Sequence, residues 1–319
     1  MSQASQAARR PGCIVSIGEA MIEFNQARPG EPQYVQGFGG DTANCLVAAA
    51  RQGVQTRYIS AIGDDTFGAM LIDLWKREGV DTSQVLVDPQ APTGVYFVTH
   101  GQAGHQFGYL RAGSAASRIG PGSVTPAALD GAAFLHVSGI TQAISTSACD
   151  ASFVAMNLAR ERGVPVAYDP NLRLRLWPLE RARAVIRESV GLSDILLVSS
   201  DDASVLTGEQ TPDAMRDVLL AWGARTVVLK LGALGATVHA AGADHHFAGH
   251  AVDCVDATGA GDCFAGALLA RLASGDDIVA ASRYANAAAA LSTRGFGAIA
   301  PIPKACEVVD FLNRTEAAA

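Results

Sequence analysis

Short apolar runs that stop at turn residues alternate along this chain with longer stretches of helical period. Six of the runs read as buried strands: CIVSIG (13–18), RYISAIG (57–63), FLHVSG (134–139), VPVAYDP (164–170), DILLVSS (194–200) and TVVLKLG (226–232). Between them, helical spacing of apolar positions marks residues 42–51, 67–78, 147–162, 179–190 and 213–222. Buried strands alternating with amphipathic helices predict an α/β fold, a mostly parallel central sheet with helices on both faces. Ligands in such sheets sit at the carboxyl ends of the strands.

Two segments break the alternation. Residues 21–38 and 93–111 carry strand-like stretches such as GVYFVTH and HQFGYLR, and no crossover helix follows either at once. They predict antiparallel strands that pair with one another as a small sheet over one edge of a single domain (residues 13–319). That sheet would be a discontinuous lid drawn from about 19–38 and 92–112; the plainer reading is two edge hairpins without a ligand role. Residues 1–12 are polar and small, lack the apolar core of a signal peptide, and read as a disordered lead-in.

Composition narrows the function. With 49% hydrophobic residues among 319 the chain can bury a large core, and no charge-free apolar stretch reaches membrane-spanning length. The net charge of −7 and 24 dispersed Lys and Arg residues offer no basic stripe for nucleic acid or anionic lipid. Six scattered cysteines, with no C-x-x-C pair, read as reduced core residues of a cytoplasmic protein.

The stretch VDATGAGDCFAG (255–266) concentrates the candidate chemistry. Phe264, Leu268 and Leu272 follow at helical spacing, so Gly259, Ala260, Gly261 and Asp262 open a helix. A helix start exposes N–H groups and the positive end of the dipole, and small residues let an anion approach them. A carboxylate in such a cradle suits a base acting on a hydroxyl that attacks a phosphoryl group. The plainer alternative is an acidic residue that merely stabilises its helix end. Phe264 stands where the third small residue of G-x-G-x-x-G would be, and no G-x-x-x-x-G-K-[ST] occurs, which argues against a dinucleotide fold and a P-loop. A second glycine cluster, FGGDTAN (38–44), opens another helix about two hundred residues earlier.

With GGDTAN and DATGAGD as its two signatures, the chain resembles the PfkB-type, ribokinase-like carbohydrate kinases. VVLKLGALGA and YANAAAALSTRGFGA also match the family's nucleotide-site segments. Within the family, IGEAMIEF, GFGGDTAN, GYLRAGSAAS, LHVSGI and DPNLRLRLW, in this order, resemble the 2-keto-3-deoxygluconate kinases. The resemblance implies Asp262 as general base and an anion hole of Gly259, Ala260 and Gly261. It places Gly40, Asp41 and Asn44 along the sugar, with Tyr96, Tyr109, Arg111 and Arg173 around its far end. Asn171 and Arg173 would approach the phosphates, Lys230, Gly232 and Gly235 would form the adenine-side loop, and Asn286 would close that pocket. It further implies ATP and Mg²⁺, a monovalent cation in some members, a small sugar or sugar acid as the partner, and a homodimer or higher oligomer, for which the apolar side chains of GVYFVTH suggest pairing of two lids.

Two departures from the family pattern stand out. Ala257 replaces a threonine, and the family's N-x-x-E metal motif appears as Ser199-Ser-Asp-Asp202, so Asp202 would hold Mg²⁺ through water. HHFAGH (245–250) lacks a metal-site frame and reads as exposed loop histidines, while Trp177 and Trp222 read as packing anchors. The leading expectation is an ATP-dependent kinase for a small acidic sugar, with a neutral-ketose kinase as alternative. A sugar-binding regulator without catalysis is the reading from another class, and intact Asp262 argues against it.

Overall fold

The computed structural model describes residues 12–101 and 104–317. Its chain order is β1 (Cys13–Ile17), β2 (Met21–Gln26), β3 (Tyr34–Gly39), α1 (Asp41–Arg51), β4 (Thr56–Gly63), α2 (Thr66–Glu78), β5 (Val80–Asp88), β6 (Gly94–Gly101) and β7 (Gly104–Leu110). There follow β8 (Ala132–Ser138), α3 (Gly139–Ile144), α4 (Thr146–Glu161), β9 (Val166–Asp169), α5 (Leu179–Leu192), β10 (Ile195–Ser199), α6 (Ser200–Thr207) and α7 (Pro212–Ala221). The chain closes with β11 (Thr226–Lys230), β12 (Gly235–Ala240), β13 (Ala243–Ala248), α8 (Ala260–Ala273), α9 (Ile278–Ser292) and α10 (Ala305–Ala317).

Nine strands form the main sheet in the order β13-β12-β11-β10-β9-β8-β1-β4-β5. It is parallel from β11 to β5, and the hairpin β12–β13 adds an antiparallel margin. All six expected strands are present and most alternate with helices as predicted, while β1 runs on into β2 and β11 into the hairpin with β12. Two apolar layers cover the sheet. On one face Leu46, Trp75, Phe264, Leu268 and Ala285 pack beneath α1, α2, α8 and α9. On the other, Met156, Ile186, Leu206 and Leu219 pack beneath α4 to α7, and Trp177 is buried there with Trp222 against its rim.

The second sheet runs β3-β2-β6-β7. The two irregular segments do pair with one another, but their seam, β2 against β6, is parallel rather than antiparallel; only the hairpins β2–β3 and β6–β7 are antiparallel. The correction has a simple cause: both segments leave the main sheet from carboxyl ends of parallel strands, so their first strands run the same way. Met21, Tyr96 and Val98 make a small core of their own with Phe107, and Phe24 stacks on Phe97 across the seam at 5.4 Å.

Two smaller expectations change. Of the cysteines, Cys13, Cys45, Cys149 and Cys263 are buried, but Cys254 and Cys306 are exposed. His245 and His246 belong to edge strand β13 rather than to a loop, and His250 packs edge-on against Phe311. The lead-in lies, but for Gly12, outside the described residues.

Candidate active site

The carboxyl ends of β8 to β11 supply one row of polar groups. Ser138 pairs in register with Asp169, and Ser199 with Lys230, so all four close their strands at the same edge of the sheet. Above this edge, α1 and α8 converge. Gly266 lies one turn beyond Asp262, and a Cβ there would run into the Cys45 carbonyl oxygen of α1. Its absence lets the helices approach until Asn44 Nδ2 donates to Asp262 Oδ2 at 2.8 Å. The two glycine signatures, 218 residues apart at these side chains, thus meet through one hydrogen bond.

Asp262 stands in the first turn of α8, whose N-cap is Gly259 in the left-handed region. Burial, then the neighbouring Asp41 carboxylate, pushes its pKa up to about 8, while the Asn44 hydrogen bond and Lys230 pull it down. Of the expected anion-hole donors, Ala260 N–H turns back to the Ala257 carbonyl at 3.2 Å. Gly261 N–H lies in the first turn, where no carbonyl one turn back can meet it. Lys230, expected in the adenine-side loop, ends β11 at the carboxyl edge of the sheet. Its ammonium donates to Asp169 Oδ2 at 2.6 Å and lies 3.3 Å from where a Cβ on Gly261 would sit, placing a cation beside the helix start. Burial opposes the Lys230 charge, but Asp169, Asp262 and Asp202 outweigh it and raise its pKa.

Asp41 is held on three sides. Ser138 Oγ donates to it, as do Asn171 Nδ2 at 2.9 Å and its neighbour Thr42 N–H at 2.9 Å. Asn171, expected at the phosphates, thus reaches the Asp41 carboxylate, with its own backbone at φ 36°. Gly40 precedes α1 with φ 118°, and a side chain there would collide with the Glu19 carbonyl oxygen.

On the lid, Tyr96 and Tyr109 stack at 5.8 Å, and the Arg111 guanidinium lies over Tyr109 at 5.6 Å. Two acidic partners went unassigned in the sequence. Glu19 forms a buried ion pair with Arg111 and accepts Ser114 Oγ at 2.6 Å. Burial raises Glu19 against the pull of Arg111 and Ser114. Glu23 accepts the Tyr96 hydroxyl. Both sit in the quoted segment IGEAMIEF, where a charged residue inside an apolar run is itself a sign of a buried partner.

Arg173 is exposed and donates to its neighbour Leu172 O at 2.8 Å, whereas Arg175 reaches the lid, donating to Phe107 O at 3.1 Å. Ser199 is the N-cap of α6, accepting from Asp202 N–H at 3.1 Å. Asp202 Oδ2 accepts Leu172 N–H at 3.1 Å, and burial followed by Asp169 raises its pKa. Gly232 and Gly235, both at positive φ, bracket the turn between β11 and β12. Asn286 donates to Ala248 O at 2.8 Å and so ties α9 to the end of β13 beside that turn. Among the described residues no group of three or more His, Cys, Asp or Glu side chains is arranged to hold a metal.

A carboxylate at a helix start, a cation beside it and a two-insertion lid form an arrangement compatible with phosphoryl transfer to a hydroxyl. The pfkB family carbohydrate kinase model matches residues 13–305, and the chain belongs to that family. It is 36% identical to the 2-dehydro-3-deoxygluconokinase of Thermoproteus tenax over 96% of each chain. It is 33% identical to probable fructokinase-3 of Arabidopsis thaliana over 95% of this chain and 92% of that one. A putative ribokinase II from E. coli, solved in complex with ATP and Mg²⁺, superposes with a TM-score of 0.88 at 28% identity, covering 95% of this chain and 99% of the other.

Proposed function

We propose that this sugar kinase transfers the γ-phosphoryl group of ATP to the terminal hydroxyl of 2-keto-3-deoxygluconate, giving the 6-phosphate. The carrying observation is the oriented Asp262 carboxylate at the start of α8, whose pKa of about 8 lies near working pH. Asn44 aims it, and Asp262 takes the proton of the attacking hydroxyl. Gly261 N–H and the Lys230 ammonium face the charge that develops on the transferred group. The sugar lies between α1 and the lid, with Asp41 and Asn171 on one side and Tyr96, Tyr109 and Arg111 at its far end. The nucleotide lies towards the Gly232–Gly235 turn, which Asn286 braces.

A carboxylate with one oxygen uncommitted suits Mg²⁺, which keeps several waters and binds phosphate oxygens. Asp202 meets that description: one oxygen accepts Leu172 N–H, and the group is surrounded by Asp169, Lys230 and Arg173. Bound there through water, Mg²⁺ supplies neutralisation of phosphate charge. The lid's Val35 and Leu110 are 62% and 67% exposed, which supports pairing of two lids in a homodimer.

Kinase activity on a neutral ketose is the second reading. It is favoured by the pairing of Arg111 with Glu19, which leaves less net positive charge for a carboxylate, and by the similar likeness to a fructokinase. ADP release with Mg·ATP against 2-keto-3-deoxygluconate, fructose and ribose separates the two. The acid is expected to show the highest kcat/KM by at least about tenfold, as one hydrogen bond to a charged group contributes about 1.5–3 kcal/mol. A preference for fructose would overturn the acid assignment.

A further inference from the structure

The Tyr96–Glu23 pair is buried on both sides, Tyr96 being 6% and Glu23 3% exposed. The hydroxyl donates to Glu23 Oε2, and a phenol carries one proton. While Glu23 is ionised, Tyr96 therefore offers any further partner only lone pairs. Its hydroxyl also abuts Gly39, directly before Gly40 and Asp41, and the phenol lies within the field of the Asp262 carboxylate. Tyr96 thus stands between Glu23 and the sugar space. An acceptor-only hydroxyl there suits a sugar O–H and repels a carboxylate.

We infer that Glu23 is a positioning residue whose protonation reverses the polarity of the Tyr96 hydroxyl, so that an acidic sugar binds together with one proton taken from solvent. This rests on the acidic-sugar reading above. With the proton on Glu23, the carboxyl donates to Tyr96 Oη, and the tyrosine proton turns towards the substrate carboxylate. The exchange leaves the net charge of the pocket unchanged, the substrate carboxylate arriving as Glu23 is neutralised. The surroundings favour it: burial raises Glu23 against its hydrogen bonds from Tyr96 and Asn25, and Asp256, in the segment between β13 and α8, raises it further. Tyr109 of β7 and Asp262 of α8 face Tyr96 and likewise disfavour added negative charge. Gly297, whose N–H donates to Asp256 Oδ2 at 2.9 Å, comes up beside Glu23 Oε1. A neutral sugar gains nothing from the reversal and binds to the ionised form.

The test is calorimetric binding of 2-keto-3-deoxygluconate and of fructose from pH 6 to 9, in buffers of low and high ionisation enthalpy, with saturating Mg·ADP. The Asp262→Asn protein is used, which removes the titration of the base. Expected is uptake approaching one proton for the acid, with affinity falling about tenfold per pH unit once Glu23 is ionised in the free protein, and none for fructose. Glu23→Gln and Tyr96→Phe should each abolish the uptake and flatten the pH dependence. Uptake that persists in both variants, or acid binding without uptake across the range, overturns the inference while leaving the substrate assignment standing. Failure of the acid to bind or be turned over by the unaltered protein instead defeats the acidic-sugar reading, and this inference with it.

Discussion

Asn44 Nδ2 donates to Asp262 Oδ2 across the seam of α1 and α8, so the proposed base is aimed by a residue from the opposite end of the chain. The bond favours the ionised carboxylate, while burial and Asp41 favour the protonated one.

Asp262→Asn should lower kcat by about 10²–10⁴-fold with little change in sugar affinity. In the unaltered protein the rate should rise with pH towards about 8, the pKa of the base, and Asn44→Ala should move that rising limb to higher pH. Stability runs the other way. The folded-state pKa lies above the unfolded value, so between about 4 and 8 the fold holds more protons than the unfolded chain and loses stability as pH rises. Asp262→Asn should therefore come close to the unaltered protein at pH 4 and exceed it by several kcal/mol at pH 9, each pH unit between about 4 and 8 being worth up to about 1.4 kcal/mol. Urea melts at the two pH values check this; equal stability at both would show that Asp262 is not held against its charge.

Lys230→Met leaves Asp169 buried without its cation. Breaking such a pair costs about 3–5 kcal/mol, so the melting temperature should drop clearly. Adding Asp169→Asn should restore much of the stability but not the turnover, because the charge beside Gly261 stays lost. Full recovery of kcat in the double variant would confine Lys230 to a structural role.

Arg111→Ala exposes the cost of burying Glu19. Burial already raises that carboxyl, and without Arg111 it rises further, so the folded variant takes up a proton. Its deficit against the unaltered protein should be small near pH 5 and grow as pH rises. Glu19→Gln, by contrast, keeps the guanidinium and removes its counter-charge, and should raise the ratio of kcat/KM for the acid over fructose several-fold. Steady-state kinetics with both sugars decides it; an unchanged ratio means that Arg111 does not face the acid.

The strands and most helices were legible because their signal is local: apolar period and turn residues fix them within a dozen positions. The helix starts at Gly40 and Gly259 were legible for the same reason. What escaped was pairing between distant segments. Nothing near Lys230 reports that Asp169, 61 residues earlier, will claim its ammonium. Glu19 and Glu23 stand in one short stretch, yet their partners Arg111 and Tyr96 come from the other insertion. The parallel seam of β2 and β6 was hidden because alternation within each strand is the same whichever way its neighbour runs.

That seam sets the terms on which the lid can be exchanged between relatives. Each insertion folds back as a hairpin, but Phe24 finds its stacking partner Phe97, and Glu23 its partner Tyr96, only across the join. A chimera carrying one foreign insertion would meet a mismatched neighbour and bare the hydrogen-bonding edge of β2 or β6. The two pieces, separated by α1, β4, α2 and β5, form one transplantable unit and must be grafted together.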